Sequence, residues 1–334
     1  MAYSVLIIGC GAIAGGYDAQ RSPEGWPLTH AGAIARDERF ALAACVDPDE
    51  NARNAFAERW KVPLAAPDLE SLNAQAGDYD LIVIASPTPF HAEHLEWTHG
   101  LGPKAVFCEK PLAHSFGWAQ SLFYGYDQSA IPLAINYTRR WQPDLNALVE
   151  EVRQGDRWGR LLSAVGTYSK GVVHNGTHLV DLLMMFAGPV DLATLGPALV
   201  DHWDDDPTVN AILTAKKTGA PLHLVGGDSR AVTQFELVLN FERGEIAVRD
   251  GGMRIETRRV EDSPTFSGYR QLGAPTSAPG RYAEAMSAAY DDLAKVMAGE
   301  VDPQWSGANG LEAQAICEAM RSKALENLKK DPLG

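Results

Sequence analysis

Apolar runs alternate with amphipathic segments through the first third of the chain. The apolar runs lie at residues 3–9, 40–47, 79–86, 104–110 and 132–138. Between them, segments such as 51–61 and 92–100 repeat their apolar residues at helical spacing. Continuous apolar strands separated by helices are typical of a parallel sheet covered on both faces, and we predict such a sheet here.

The pattern changes after about residue 150. Residues 233–241 alternate apolar and polar side chains, and the pattern continues beyond a turn at 242–245, which predicts a half-buried antiparallel sheet. The segment 261–281 is rich in Pro, Gly and Ser and predicts a long loop. An apolar stripe over 282–297 and the helix formers of 310–330 predict two terminal helices.

Composition and charge narrow the class of protein. The 334 residues suffice for two domains, and 46% hydrophobic with 22% charged residues is ordinary for a globular protein. The formal charge of −14 would repel nucleic acid and anionic lipid, so neither is an expected partner. The apolar first residues run directly into glycines and indicate a strand rather than a signal peptide, and the four cysteines lack C-x-x-C spacing. These features favour a cytoplasmic protein.

The end of the first predicted strand carries a dinucleotide-binding pattern. In "GCGAIA", Gly9, Gly11 and Ala14 fit G-x-G-x-x-(G/A), in which glycines let the backbone approach a pyrophosphate. The second strand ends at Asp47, whose carboxylate can accept hydrogen bonds from a ribose. No arginine adjoins it in sequence, which favours NAD over NADP. Residues 15–27 resemble an insertion before the helix resumes. The residues expected at the cofactor on these two strands are Gly9, Gly11, Ala12, Ile13, Ala14 and Asp47.

The third strand ends in "ASPTPFHAEH". Ser86, Pro87 and Thr88 follow it at the edge where open α/β sheets bind ligands, and His91 begins the next helix. We expect these four residues to contact the cofactor. For His91, a helix-start residue without chemistry is an equally good interpretation.

The fourth strand ends in "CEKPLA". Lys110 is expected beside the nicotinamide, with Glu109 before it and Pro111 keeping its backbone extended. An ammonium group there can hydrogen-bond a substrate oxygen and assist proton and hydride movement. The alternative is a solvated loop lysine.

In "GVVHNGTHLVDLL", His174, His178 and Asp181 would share one face if the segment were a continuous α-helix. Such a face could bind zinc, transfer a proton or pack in the interior. A catalytic zinc normally has three protein ligands with ordered outer partners, and no Cys-rich segment supplies more, so we expect no metal. The other two interpretations stay open for His174.

The motifs "GCGAIA", "ASPTPFHAEH", "CEKPLA", "NYTRRWQP" and "NGTHLVDLL" together resemble the glucose–fructose oxidoreductase, inositol dehydrogenase and MocA-type (Gfo/Idh/MocA) family, in order and approximate spacing. The resemblance implies an α/β chain with an N-terminal Rossmann domain, a doubly wound parallel sheet, at residues 1–120. It also implies an α+β domain at 121–334 for substrate binding and oligomerisation, with a large, mostly antiparallel open sheet. The terminal helices of this domain can pack back on the first domain.

The resemblance also implies residue roles. Lys110 is similar to the family's catalytic lysine and His178 to its acid/base histidine. The chain departs from the family at His174, where many members carry Asp; a histidine there can relay a proton or contact a substrate anion. The residues expected at the substrate are Lys110, Asn136, Arg139, Arg140, Trp141, His174, Asn175 and His178.

The expected activity is hydride transfer between NAD and a secondary alcohol or ketone of a sugar, inositol, sugar acid or nucleotide sugar, by a homodimer or homotetramer joined through the open sheet. Two alternatives keep the fold. One is an NAD-retaining glycosidase or epimerase with transient oxidation, and the other is a non-catalytic dinucleotide-binding regulator.

Overall fold

The computed structural model describes residues 2–22, 24–303 and 307–330. The chain forms two compact units, the first made of residues 1–141 and 283–311 and the second of residues 142–282 and 312–334. The prediction that domains separate near residue 120 stays a prediction.

The first unit contains a six-stranded parallel sheet in the order β3-β2-β1-β4-β5-β6. Its strands are β1 (Tyr3–Ile8), β2 (Phe40–Val46), β3 (Leu64–Ala66), β4 (Leu81–Ile84), β5 (Ala105–Cys108) and β6 (Leu133–Ile135). The five predicted strands are confirmed, and β3 is the one that the apolar pattern missed, because two of its three residues are exposed. This strand order is that of the doubly wound dinucleotide-binding sheet.

Eight helices flank the sheets in the described ranges. They are α1 (His30–Ile34), α2 (Glu50–Trp60), α3 (His91–Leu101), α4 (Phe116–Gln128), α5 (Pro143–Gln154), α6 (Thr177–Ala187), α7 (Ala285–Met297) and α8 (Gly307–Lys330). The two predicted terminal helices are therefore confirmed. None of the helices in the described part of the chain combines the length and the apolar character needed to cross a membrane.

Both faces of the first sheet are buried. Val5 and Ile7 of β1 contribute to one apolar cluster, to which α7 supplies Tyr290 and Leu293. The alternate side chains Leu6 and Ile8 contribute to a second cluster with residues of α3 and α4. Because successive strand residues point to opposite faces, a strand buried on both sides has a continuous apolar sequence.

The helix that follows β1 is interrupted. The amide of Gly15 donates to the carbonyl of Gly11 at 3.2 Å and closes one helical turn. The chain then leaves this turn and returns at α1, where the amide of Ala31 donates to the carbonyl of Ala14 at 2.8 Å. The segment 15–27 is thus inserted into one helix, which confirms the predicted insertion.

Asp18 anchors this insertion, although it gave no signal in the sequence. Its buried carboxylate accepts from the amide of Leu28 at 2.9 Å, and from the amide and the hydroxyl of Thr29 at 2.9 and 2.7 Å. Thr29 is in turn the N-cap of α1, accepting from the amide of Gly32 at 3.1 Å. The two ends of the inserted loop are therefore held together by one carboxylate.

The second unit contains a nine-stranded sheet in the order β14-β13-β12-β11-β7-β10-β9-β8, with β15 paired to β13. The strands are β7 (Leu161–Tyr168), β8 (Val190–Trp203), β9 (Asp206–Ala215), β10 (Pro221–Gly226), β11 (Phe235–Phe241), β12 (Gly244–Arg249), β13 (Arg254–Asp262), β14 (Arg270–Leu272) and β15 (Thr276–Pro279). All pairs are antiparallel except β7 with β10. The predicted antiparallel sheet is confirmed.

The prediction of a long loop over 261–281 is wrong in part. Two short strands, β14 and β15, form there and pair with β13. Most of their residues are exposed, so they lack the apolar alternation that identifies a half-buried strand. Edge pairing to an existing strand supplies the hydrogen bonds that the sequence pattern does not reveal.

Candidate active site

The glycine-rich turn leaves β1 at the carboxyl edge of the first sheet. Gly9 has a φ of +95°, and a Cβ there would stand 2.6 Å from the amide nitrogen of Ser86, so only glycine fits between β1 and the end of β4. Gly11 and Ala12 are exposed, Ile13 is half-buried and Ala14 is buried in the core.

Gly11 differs from Gly9 in its surroundings. A Cβ at Gly11 would meet nothing within 4 Å. Open space beside an exposed backbone, directly after the first strand, is what a bound pyrophosphate requires.

Asp47 stabilises this turn. Its carboxylate accepts from the amide of Cys10 at 2.7 Å and from the amide of Asp49 at 2.9 Å. The side chain is half-buried, and each carboxylate oxygen has a further lone pair for a ribose hydroxyl. The sequence placed no arginine beside Asp47, but the fold does: the guanidinium of Arg53 donates to the Asp47 carbonyl at 2.6 Å.

Ser86 and His91 connect the ends of β4 and β5. The Ser86 hydroxyl lies 2.9 Å from Nδ1 of His94, while the His91 ring nitrogens lie 2.8 Å from the carbonyl of Pro111 and 2.7 Å from that of Ser86. Burial lowers the pKa of His91, although the hydrogen bonds to these two carbonyls act in the opposite direction. The described contacts of His91 are structural, and its predicted contact with cofactor stays a prediction. Pro87 is exposed and Thr88 half-buried beside them.

Glu109 and Lys110 follow β5 directly. The Glu109 carboxylate lies 3.0 Å from Nε2 of His30 and accepts from the Asn136 amide at 2.6 Å. Burial would raise the pKa of Glu109, but the hydrogen bonds from His30 and Asn136 and the positive charge of Lys110 outweigh it and lower that pKa, so the group is a carboxylate. Lys110 is half-buried, and its peptide bond to Pro111 is cis.

Three further predicted substrate residues follow β6. Arg139 is half-buried, while Arg140 is buried. Trp141 is also buried and packs at a ring-centroid distance of 5.2 Å against Phe107 in the core of the first unit. For Trp141 this is a correction, because its bulk fills the interior beside β5 rather than an open surface.

In the second unit, the histidine segment is not one continuous α-helix. Residues 171–176 form a π-helical turn, and α6 begins at Thr177. His174 is exposed, His178 is half-buried and Asp181 is buried, so the three side chains differ in their access to solvent. The wider π turn shifts the register between His174 and α6. Asn175 donates from its amide to the Ser169 carbonyl at 2.9 Å.

Asp206 holds the π turn. Its carboxylate accepts from the amides of Val173 at 2.9 Å and His174 at 2.8 Å. Gly171 makes room for it, since a Cβ there would lie 2.2 Å from the Asp206 carboxylate. Burial raises the pKa of Asp206 against the effect of these amides. Asp206 carries no signal in the sequence, because nothing there distinguishes it from its neighbours Asp204 and Asp205, which are exposed.

Aromatic and basic groups surround Trp203 at the end of β8. The rings of His174 and His202 lie with centroids 4.3 and 4.1 Å from that of Trp203. The Lys170 ammonium lies 5.6 Å from the Trp203 ring. A tryptophan face with nearby donors is suited to polyol binding.

Metal binding has no support in the described residues. Within them, no group of three or more His, Cys, Asp and Glu side chains could hold an ion. The residues of the first unit fit a dinucleotide instead: open backbone at Gly11, close approach at Gly9 and a half-buried carboxylate at Asp47.

The fold and the glycine-rich edge define the first unit as a dinucleotide-binding domain. Residues 3–130 match a family model, GFO_IDH_MocA, described as "Oxidoreductase family, NAD-binding Rossmann fold". Through this match the first unit is similar to the NAD-binding Rossmann domains of the Gfo/Idh/MocA oxidoreductases.

The chain is also similar to two relatives and to one solved structure. It is 24% identical to the inositol 2-dehydrogenase of Rhizobium meliloti over 313 residues, 87% of this chain and 91% of the relative. It is 23% identical to the D-apiose dehydrogenase of Paraburkholderia graminis over 194 residues, 53% of this chain and about half, 51%, of that relative. The WlbA dehydrogenase of Bordetella pertussis, solved with NADH and UDP-GlcNAcA, superposes with a TM-score of 0.77 at 20% identity, over 98% of this chain and 96% of that one.

Proposed function

We propose that the protein oxidises a secondary alcohol, or reduces the corresponding ketone, of a sugar-like polyol, with NAD as the preferred cofactor. The observation that carries the proposal is the set of groups at one sheet edge: the open backbone at Gly11, the carboxylate of Asp47 and the lysine that follows β5, Lys110. When bound, NAD accepts or supplies the hydride.

In this proposal, Gly9, Gly11 and Ala12 hold the pyrophosphate, and Asp47 binds the adenosine ribose. Ser86, Pro87 and Thr88 complete the binding edge. Lys110 donates a hydrogen bond to the reacting oxygen and stabilises negative charge on it. Family resemblance supports His178 as the group that takes the hydroxyl proton in oxidation and returns it in reduction.

The substrate class is proposed from the relatives and from the second unit. The relatives are named for inositol and D-apiose, and the solved neighbour holds UDP-GlcNAcA. We infer a hydroxyl-rich substrate, with Trp203 as an apolar face for its ring and with His174 of the same unit as a candidate for a polar contact.

The first test is kinetic. Wild type, Lys110→Ala and His178→Ala are assayed by NADH absorbance on inositols, aldoses, sugar acids and nucleotide sugars, each with NAD and with NADP. We expect each variant to lose roughly 10²-fold or more in kcat while its dissociation constant for NAD stays nearly unchanged. Lys104→Ala, an exposed lysine paired to Asp80, is the matched control and should retain full activity.

Three outcomes would contradict the proposal. If Lys110→Ala or His178→Ala turns over at nearly the wild-type rate, the catalytic role proposed for that residue is wrong. A higher kcat/KM with NADP overturns the cofactor preference and gives Arg53 a part in binding the extra phosphate. Turnover that needs no added cofactor, from protein purified with NAD, indicates a redox-neutral reaction instead.

We also propose a homo-oligomer that pairs through the open face of the nine-stranded sheet. On this face Val165 of β7 and Val225 of β10 are 38% and 40% exposed, unusually apolar for a solvated surface. Exposed apolar side chains gathered on one sheet face are typical of an interface.

A further inference from the structure

One buried histidine of the first unit, His30, has no part in the proposed chemistry. His30 is fully buried at the start of α1, with Nδ1 3.0 Å from the Tyr290 hydroxyl and Nε2 3.0 Å from the Glu109 carboxylate. Three elements far apart in sequence thus supply a row of hydroxyl, imidazole and carboxylate. The carboxylate belongs to the residue directly before Lys110.

The row lies among aromatic rings. Phe107 meets the His30 ring edge-on at 5.0 Å, and Phe40 meets the Tyr290 ring edge-on at 5.3 Å. In such apolar surroundings a hydrogen bond is stronger than in water, and an unpaired polar group is costly. Each of the three side chains is therefore stabilised by its hydrogen bond to the next.

The direction of the hydrogen bonds follows from chemistry. The Glu109 carboxylate can only accept, so the proton lies on Nε2 of His30. The Tyr290 hydroxyl keeps its proton because burial raises its pKa well above the usual value, and that proton finds an acceptor in Nδ1 of the neutral ring. Across the described residues His30 is the hydrogen-bond partner of Tyr290, so a doubly protonated ring would leave the hydroxyl proton without an acceptor.

Glu109 is held from two sides. Nε2–H of His30 donates to Oε1, and the Asn136 amide donates to the same oxygen at 2.6 Å. The Lys110 ammonium further lowers the pKa of Glu109, so the carboxylate in turn stabilises the ammonium.

We propose that His30 is a positioning residue that acts through Glu109: its Nε2–H fixes the carboxylate, which holds Lys110 charged and in place at the end of β5. This inference rests on the proposed role of Lys110. The position of His30 depends on the inserted segment, because the chain must return to α1 in the correct register for His30 to reach Glu109.

Two substitutions separate the role of Nε2 from that of packing. A glutamine amide reaches the position of Nε2 and can still donate to Glu109, whereas the shorter asparagine amide reaches only the position of Nδ1. We expect His30→Asn to lower kcat by about 10- to 100-fold with an unchanged dissociation constant for NAD, and His30→Gln to stay within about threefold of wild type. Both should lose similar thermal stability. Equal loss of kcat in both variants would overturn the inference, since a role in packing alone makes no such distinction.

A readout without turnover keeps this test apart from that of the proposed function. Reductive methylation followed by peptide mass spectrometry gives the labelling rate of Lys110 relative to Lys104 in the full chain. We expect labelling of Lys110 to be several-fold faster in His30→Asn than in wild type, and unchanged in His30→Gln. An unchanged ratio in both contradicts the inference, whereas an inactive wild type with the expected labelling contradicts only the proposed function.

Discussion

At the scale of single residues, the two glycines of the cofactor turn serve different purposes. Gly9 is required by the backbone, since its φ is positive and Ser86 stands against it. Gly11 has space for a side chain in the protein alone. We attribute its lack of a Cβ to the ligand, which would occupy that space.

This difference predicts opposite behaviour of two alanine variants. Gly9→Ala should lower the free energy of unfolding by about 1–3 kcal/mol, because a Cβ at a positive φ is strained and meets the Ser86 backbone. Gly11→Ala should leave thermal stability nearly unchanged but weaken NAD binding by roughly tenfold or more, about 1.4 kcal/mol. Thermal denaturation and fluorescence titration with NADH check both. A stable Gly9→Ala or a Gly11→Ala that binds normally would contradict the assignment.

At the scale of elements, the π turn before α6 determines where the second unit's histidines stand. The turn is capped by Asp206 from the start of β9, across a sequence separation of 32 residues from His174. The orientation of His174 and the start of α6 at Thr177 therefore depend on a strand rather than on the helix itself.

We expect Asp206→Ala to lose about 1–3 kcal/mol of stability, because the buried amide of Val173 and the partly buried amide of His174 lose their acceptor. The kcat should fall with it, as the segment carrying His174 and His178 loses its shape. Asp205→Ala, an exposed carboxylate on the same hairpin, should change stability by less than about 0.5 kcal/mol. Denaturant unfolding with parallel kinetics tests this, and equal effects in the two variants would count against the cap.

At the scale of the whole molecule, chain segments that are distant in sequence complete each unit. Helix α7 lies near the C-terminus but belongs to the first unit, where Tyr290 and Leu293 join the core beneath β1. In the second unit, Val165 and Val225 are exposed on one face of the sheet, and the proposed homo-oligomer would cover them.

The exposed apolar side chains on this sheet face predict that the protein is an oligomer in solution. A chain of 36.1 kDa should elute in light-scattering chromatography at twice that mass or a higher even multiple. The double variant Val165→Glu, Val225→Glu should shift it to the mass of one chain, because burying two carboxylates in an interface is unfavourable. Val232→Glu, at an exposed position outside the strands, should leave the mass unchanged. A wild type that elutes as a single chain would rule out the interface.

The sequence by itself determined five of the six strands of the first sheet, part of the antiparallel sheet of the second unit and the glycine-rich turn. Those signals are local: continuous or alternating apolar residues, and glycines where the backbone must turn. The local sequence did not determine the position of His174, since a π turn and an α-helix are compatible with the same pattern of apolar residues. The hydrogen bonds of the distant Asp206 stabilise the π turn.

Only the tertiary structure brought His30, Glu109 and Tyr290 together, across separations of 79 and 260 residues from His30. The tertiary structure also shows that Trp141 lies in the core, that Arg53 contacts Asp47, and that β14 and β15 pair with β13. Each of these arrangements depends on packing and hydrogen bonding between residues distant in sequence, and such contacts leave no periodic pattern in the amino-acid sequence. A role for Lys110 could be predicted from its motif, but the contacts of His30 and Asn136 with the adjacent residue Glu109 could not.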